Sequence, residues 1–361
     1  VVAGSGGLAW AAWETDTPSA ADLYFSLWDG RSWSDPLPVH ARLHAWDREP
    51  VLALDSKGTP WLAWSSTEKA DAEGSRVYIS RWESRGWTDP ERVPMGTASK
   101  ASGPSLAAGP DGSMWLAWVG FDGVDDEIYA SHWDGASWSP PRQVSAQDQD
   151  AALYDRQPQI AVASDPRQPT GAAGHPWLVW TGHHEGPDNE ILASHWTGSS
   201  WTPEQMVSQD DPALDSEPSL LLDPDGLPWV AWKGRVQAGQ DSHLRILVSH
   251  WDPIRLGWSS ETVASSPLEV DIEEVQPRLV LDEMGIIRLF WAVHSGAESV
   301  MALAELEQGG WSSPRVVLSD GASRSGYAFL VEGGTQRFVW LNPAEEGQQP
   351  LQSLEMNEES D

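Results

Sequence analysis

The chain of 361 residues has no cysteine, which excludes disulfides and thiolate metal sites. Basic residues are scarce: 22 Lys and Arg stand against 54 Asp and Glu, for a net charge of −32. That field repels nucleic acid and anionic membrane surfaces and favours cations or basic partners, and it also keeps a protein soluble. No apolar run is long enough to cross a membrane as a helix, so membrane insertion is not expected. The first residues, VVAGSGG, show neither the basic nor the apolar region of a signal peptide. No useful stretch shows the 3.6-residue apolar period of a helix. Tryptophan, by contrast, is abundant at 24 residues, far too many for a disordered chain.

Internal repeats organise the sequence. GLAWAAW, GTPWLAW, GSMWLAW, GHPWLVW and GLPWVAW recur roughly every 50 to 60 residues, followed by the weaker GIIRLFW and GTQRFVW, seven in all. A second signature follows the first five: SLWDGRSW, SRWESRGW, SHWDGASW, SHWTGSSW and SHWDPIRLGW. Each repeat reads as four short strands rich in β-branched and aromatic residues and punctuated by Gly, Asp and Pro. The pattern predicts an all-β fold, a single-domain, seven-bladed β-propeller of four-stranded blades. Approximate blades are 1–39, 40–93, 94–144, 145–207, 208–263, 264–318 and 319–361. The last has sequence for only three strands, so the seventh blade is expected to be incomplete, with an edge open to assembly.

In PWLAW two tryptophans stand three residues apart. A strand alternates faces with period two, so they point to opposite faces and both faces are expected to be buried. Every tryptophan except Trp46 falls into one of four repeat slots. The same alignment makes His132, His195 and His250 repeat residues, since Leu27 and Arg81 fill their slot elsewhere. DSKG and DPDG read as tight turns rather than calcium loops.

The second signature resembles the Asp-box of the sialidase superfamily, S-x-D-x-G-x-[ST]-W. Ser131, Gly135, Ser137 and Trp138 match it, as do Ser26, Gly30, Ser32 and Trp33, and Ser194, Gly198, Ser200 and Trp201. The third position departs, being Trp28, Trp133 or Trp196, while Asp29 and Asp134 come one residue late. The resemblance implies a propeller in which this motif is a structural turn. Carried over to activity, it implies Arg48, Arg156 and Arg324 as a carboxylate clamp and Tyr327 as nucleophile. Tyr327 equally fits an ordinary first-strand slot, and so acidic a protein would repel an anionic sugar.

The unusual residues gather where first strands begin. Asp47, Asp155, Asp215 and Glu274 share one position there, three residues before a proline. On the axis of a propeller they would form either a calcium site or a solvated acidic mouth with raised pKa values. No cofactor is required by this reading; calcium is the one ion it suggests. AWDREP and LYDRQP each offer an aromatic ring, a carboxylate and a guanidinium: Trp46, Asp47 and Arg48, then Tyr154, Asp155 and Arg156. These suit a sugar, whose C–H face stacks on a ring while its hydroxyls bond the charged groups. Trp46 reads equally well as a plug packed under its own connector.

The sequence thus predicts a non-catalytic binding propeller, extracellular or on the cell surface, with a glycan as first-guess ligand. The alternatives are a sialidase-like glycoside hydrolase, and a structural subunit that meets a protein partner through the seventh blade.

Overall fold

A computed structural model describes residues 1–4, 7–16, 21–40, 45–68, 74–84, 86–145, 154–163, 175–183, 188–212, 214–238, 241–265, 273–282, 284–295, 298–319, 325–332, 335–341 and 351–356. All regular structure among them is β, and consecutive strands pair antiparallel as meanders. Among the described residues no helix is long and apolar enough to cross a membrane. The first sheet has nine strands and joins two meanders, over 2–38 and 45–92, through one parallel bridge, Ala21 to Trp46. Two four-stranded sheets, two five-stranded sheets and a three-stranded sheet follow in chain order. The five-stranded ones are the same meander with its fourth strand in two pieces. Gly257–Trp258 pairs with the end of Asp241–Asp252, and Thr262–Val263 pairs further back along it.

The chain forms two compact units. One holds Val1–Val124, Tyr129–Gln143 and Arg324–Asp361; the other holds Asp125–Ile128 and Val144–Ser323. In each, the paired tryptophans separate as strand geometry requires. Within the first unit, Trp61 packs with Met114, Trp118 and Tyr129 of the third repeat, while Trp64 packs with Leu23 and Phe25 of the first. Within the second, Trp229 meets Leu279 and Leu289 of the sixth repeat and Trp232 meets Val179 and Ile191 of the fourth. Trp64, Trp118, Trp180, Trp232 and Trp291 are the largest fully buried side chains described.

Hairpin chemistry sets the register. Asp55 Oδ1 accepts the Lys57 and Thr59 amides and Asp223 Oδ1 accepts those of Asp225 and Leu227. Gly58 and Gly226 supply the positive φ (77° and 73°) that these turns require. The free oxygen of each Asp takes an indole N–H, from Trp61 at 3.4 Å and Trp229 at 3.3 Å. At the third-to-fourth turn, Asp29 and Asp134 each accept two backbone amides, which hold their carboxyls below the usual range. The SHW histidines lie on the first-slot indoles, His132 on Trp115 at 4.8 Å, His195 on Trp177 and His250 on Trp229 at 4.5 Å.

Candidate functional site

Five first strands carry a bulge just before or at a proline. The register slips between Arg48 and Val51, Ser102 and Ser105, Arg156 and Gln159, Ser216 and Ser219, and Val275 and Arg278. The residue before each proline is left-handed: Glu49, Gly103, Gln157, Glu217 and Gln276 have φ of 56°, 57°, 56°, 59° and 55°. That region suits glycine, and a longer side chain stays there only when neighbours hold it. Here they do. Glu49 Oε2 accepts the Gly103 amide at 2.8 Å and the Ser65 hydroxyl at 2.6 Å. Gln157 Oε1 accepts the Glu217 amide at 2.9 Å, and Glu217 Oε2 accepts the Gln276 amide at 2.7 Å. Glu14 Oε2 accepts the Glu49 amide at 2.9 Å. Each side chain thus latches the bulge of the following repeat within its unit. In the sequence the signal for these latches is the Glu or Gln that recurs directly before a first-strand proline at 49, 157, 217 and 276.

Trp46 and Tyr154 are half-buried beside the bulges, one in each unit. Neither is a bare plate. The Arg48 guanidinium lies 5.4 Å from the Trp46 ring centre and that of Arg156 4.1 Å from Tyr154, both in cation–π range. Arg48 also meets Glu14 at 3.3 Å, and Arg156 meets Asp126 at 3.4 Å. His183 closes on Tyr154 edge-on at 4.9 Å, and its Nδ1 accepts the Tyr154 amide. Arg324 and the side chains of Tyr327 and Glu274 lie outside the described residues, so the three-arginine clamp is not visible as a set.

The first-strand carboxylates turn into the sheets. Asp47 is fully buried; its Oδ1 accepts the Trp64 indole N–H at 3.2 Å and its Oδ2 lies 3.1 Å from His40 Nε2. Asp155 accepts the Trp180 indole N–H at 3.1 Å. Asp215 is 4% exposed. A Cβ added at Gly234 would come within 2.5 Å of Asp215 Oδ1, and one at Gly182 would strike Asp155 Oδ1, so glycine makes room for both carboxylates. The second-slot indole N–H draws Asp47 and Asp155 inward.

Third strands bring a second set of buried charge. Glu127 and Glu190 are each 1% exposed. Ser145 Oγ donates to Glu127, and Ser208 Oγ donates to Glu190 Oε2 at 2.5 Å. Burial pushes Asp155 well up, and the Glu127 charge adds to it. Burial lifts Glu190 to about 7 and Asp215 to about 8, and the Glu190 charge contributes to the latter. The sequence signal for these acids is the alignment of DEIYASHW with NEILASHW and of QVS with MVS.

The second unit also holds a recess of about 380 Å³ lined by Trp229, His250, Thr262, Leu306, Trp311 and Ser312 among others. Its origin is a slot change. Trp61 and Trp177 each meet both indoles of a neighbouring repeat, Trp133 with Trp138 and Trp251 with Trp258. Trp229 meets only Trp311, at 6.4 Å, because Leu306 occupies the other slot. The volume falls in the range of small-ligand sites.

No family model matches the chain, and no curated protein matches it. Solved structures do. A polysaccharide lyase described as a PL25 ulvan lyase, bound to -[GlcA(1-4)Rha3S]-, aligns over 93% of this chain and 87% of its own, with TM-score 0.65 and 9% identity. An α-L-arabinanase of Penicillium chrysogenum with arabinobiose aligns over 86% and 93%, with TM-score 0.60 and 13% identity. A Hadza microbial sialidase, Hz136, aligns over 90% and 72%, with TM-score 0.50 and 11% identity. At such identity the likeness is one of fold: this all-β chain of meander sheets is built like the carbohydrate-active β-propellers.

Proposed function

We propose that this protein is a carbohydrate-binding, seven-bladed propeller that holds a glycan without cleaving it, outside the cell or at its surface. With the nine-stranded sheet taken as two meanders, the six sheets are consistent with seven blades. The observation that carries binding is the recurrence of Trp46 with Arg48 and Tyr154 with Arg156, each a half-buried ring under a partly exposed guanidinium that a carboxylate steadies. A ring edge and a guanidinium together meet a sugar's C–H face and its hydroxyl or carboxylate oxygens. The sugars bound to the neighbours, -[GlcA(1-4)Rha3S]- and arabinobiose, define the first glycans to try. Retention rather than cleavage is favoured because Arg48 and Arg156 already hold Glu14 and Asp126, whereas a sialidase-like clamp needs its arginines for the substrate.

The test is a glycan array of neutral, uronic and sialylated sugars probed with the whole chain, Trp46→Ala and Tyr154→Ala, beside a turnover assay on every hit. Binding that falls in either variant, with no product formed, supports the proposal. Product release would replace it with the hydrolase reading. Silence on all glycans would sink it and turn attention to a protein partner.

A further inference from the structure

We propose that Asp188, Glu190 and Asp210 form a divalent-cation site, with calcium as the ion. It is separate from the strand-start carboxylates and does not depend on the glycan reading.

Strand geometry assembles the three groups. Asp188 stands just before the strand Asn189–His195 and Glu190 is its second residue. Asp188 sits at the bend that enters the strand, two residues from Glu190. The antiparallel partner Gln205–Met206 runs back along that strand and delivers Asp210 to the same end. One oxygen from each residue lies within 4.8 Å of the other two. Oxygens around calcium sit about 2.3–2.6 Å from the ion, so pairs of them are separated by up to about 5 Å and the spacing fits as it stands.

Acids gathered at a loop would not be enough, since this surface is acidic nearly everywhere. The second observation is Glu190 itself. It is 1% exposed, Ser208 holds its Oε2, and its Oε1 has no hydrogen-bond partner. A buried carboxylate oxygen with nothing to accept from is costly. The Glu190 carboxylate lies beside a half-exposed Asp188 and an exposed Asp210, which leave a way in for an ion. A cation would satisfy the orphaned oxygen and the crowded charge together. The donor set is all carboxylate, without His or Cys, which suits a hard ion. Three side chains at irregular depth suit calcium's tolerant coordination better than magnesium's strict octahedron, and water would complete the shell. The bound ion would tie the third strand to the connector that leads into Ser216–Leu222.

The experiment is calcium titration of the whole chain by calorimetry and by indole-sensitised terbium luminescence, in about 0.15 M KCl to screen diffuse binding. Wild type, Glu190→Gln, Asp210→Asn and the remote control Asp225→Asn are compared. The expected result is a saturable site that weakens at least about tenfold in Glu190→Gln and Asp210→Asn, is unchanged in Asp225→Asn, and raises Tm only where it binds. Asp210 is exposed, so its variant decides the matter even if Glu190→Gln folds poorly. Titrations alike in all four proteins, or no saturable binding in wild type, would overturn the proposal and leave only ions condensed on an acidic surface.

Discussion

Trp61 and Trp229 occupy the same slot in two repeats and keep different company. Both donate their indole N–H to the turn aspartate six residues earlier. Trp61 is 6% exposed and boxed in by Trp133 and Trp138. Trp229 is half-buried, with Trp311 on one flank, His250 on its face and a recess where the missing indole would stand. One scaffold position therefore serves as core in one repeat and as the wall of a cavity in another, and a single residue, Leu306, makes the difference. In repeat architectures, function has room where a slot is left short.

The largest test of that contrast is truncation. Trp61→Ala should cost about 3–5 kcal/mol in urea unfolding, and Trp229→Ala roughly half as much, because one flank is already empty. Equal losses would mean that the recess is closed in solution. Removing a latch comes next: Glu217→Ala takes away the Oε2 acceptor of the Gln276 amide and should cost about 1–3 kcal/mol, while Glu49→Ala should cost less, because Ser65 Oγ still accepts from the Gly103 amide at 3.1 Å. Glu217→Gln, which keeps an acceptor oxygen, should cost less.

The second unit should also answer to pH. There the charge of Glu127 bears on Asp155 and that of Glu190 on Asp215. Glu190 and Asp215 rise from the ordinary 4.5 and 3.8 to about 7 and about 8 on folding. The native state therefore binds more protons than the unfolded one between those values. Their contribution is fully present below about pH 4 and is lost as pH rises through 7 to 8. Asp215→Asn should flatten that decline in a series of denaturation curves; an unchanged slope would remove Asp215 as its source. The smallest expected effect is a gain. Leu306→Trp restores the absent indole and should add about 1 kcal/mol while filling the recess. A loss of stability instead would show that the recess is too narrow for an indole.

How far the sequence could be read follows from what each residue answers to. The tryptophan slots were legible because strand periodicity alone decides which face a side chain takes. The turn aspartates were legible because Asp and Gly have few other reasons to recur at that spacing. The direction of Asp47 and Asp155 was not, since it depends on an indole N–H seventeen or twenty-five residues away. The role of Glu49 and Glu217 was hidden for a similar cause: their partners are amides fifty-four and fifty-nine residues on. The covering of Trp46 by Arg48 was not legible, since it depends on how the bulge turns the guanidinium back over the ring.

The third- and fourth-slot tryptophans have an optical consequence. Trp28 with Trp33, Trp82 with Trp87, Trp133 with Trp138, Trp196 with Trp201, and Trp251 with Trp258 stand 5.5, 5.5, 5.9, 5.7 and 5.7 Å apart, with fixed angles between their planes. Indoles that close share their excited states, and each pair should contribute an exciton couplet to the ultraviolet circular dichroism. The spectrum then counts intact hairpins one repeat at a time. Replacing one tryptophan of a pair by phenylalanine would subtract that repeat's couplet and show which sheet lets go first as the protein unfolds.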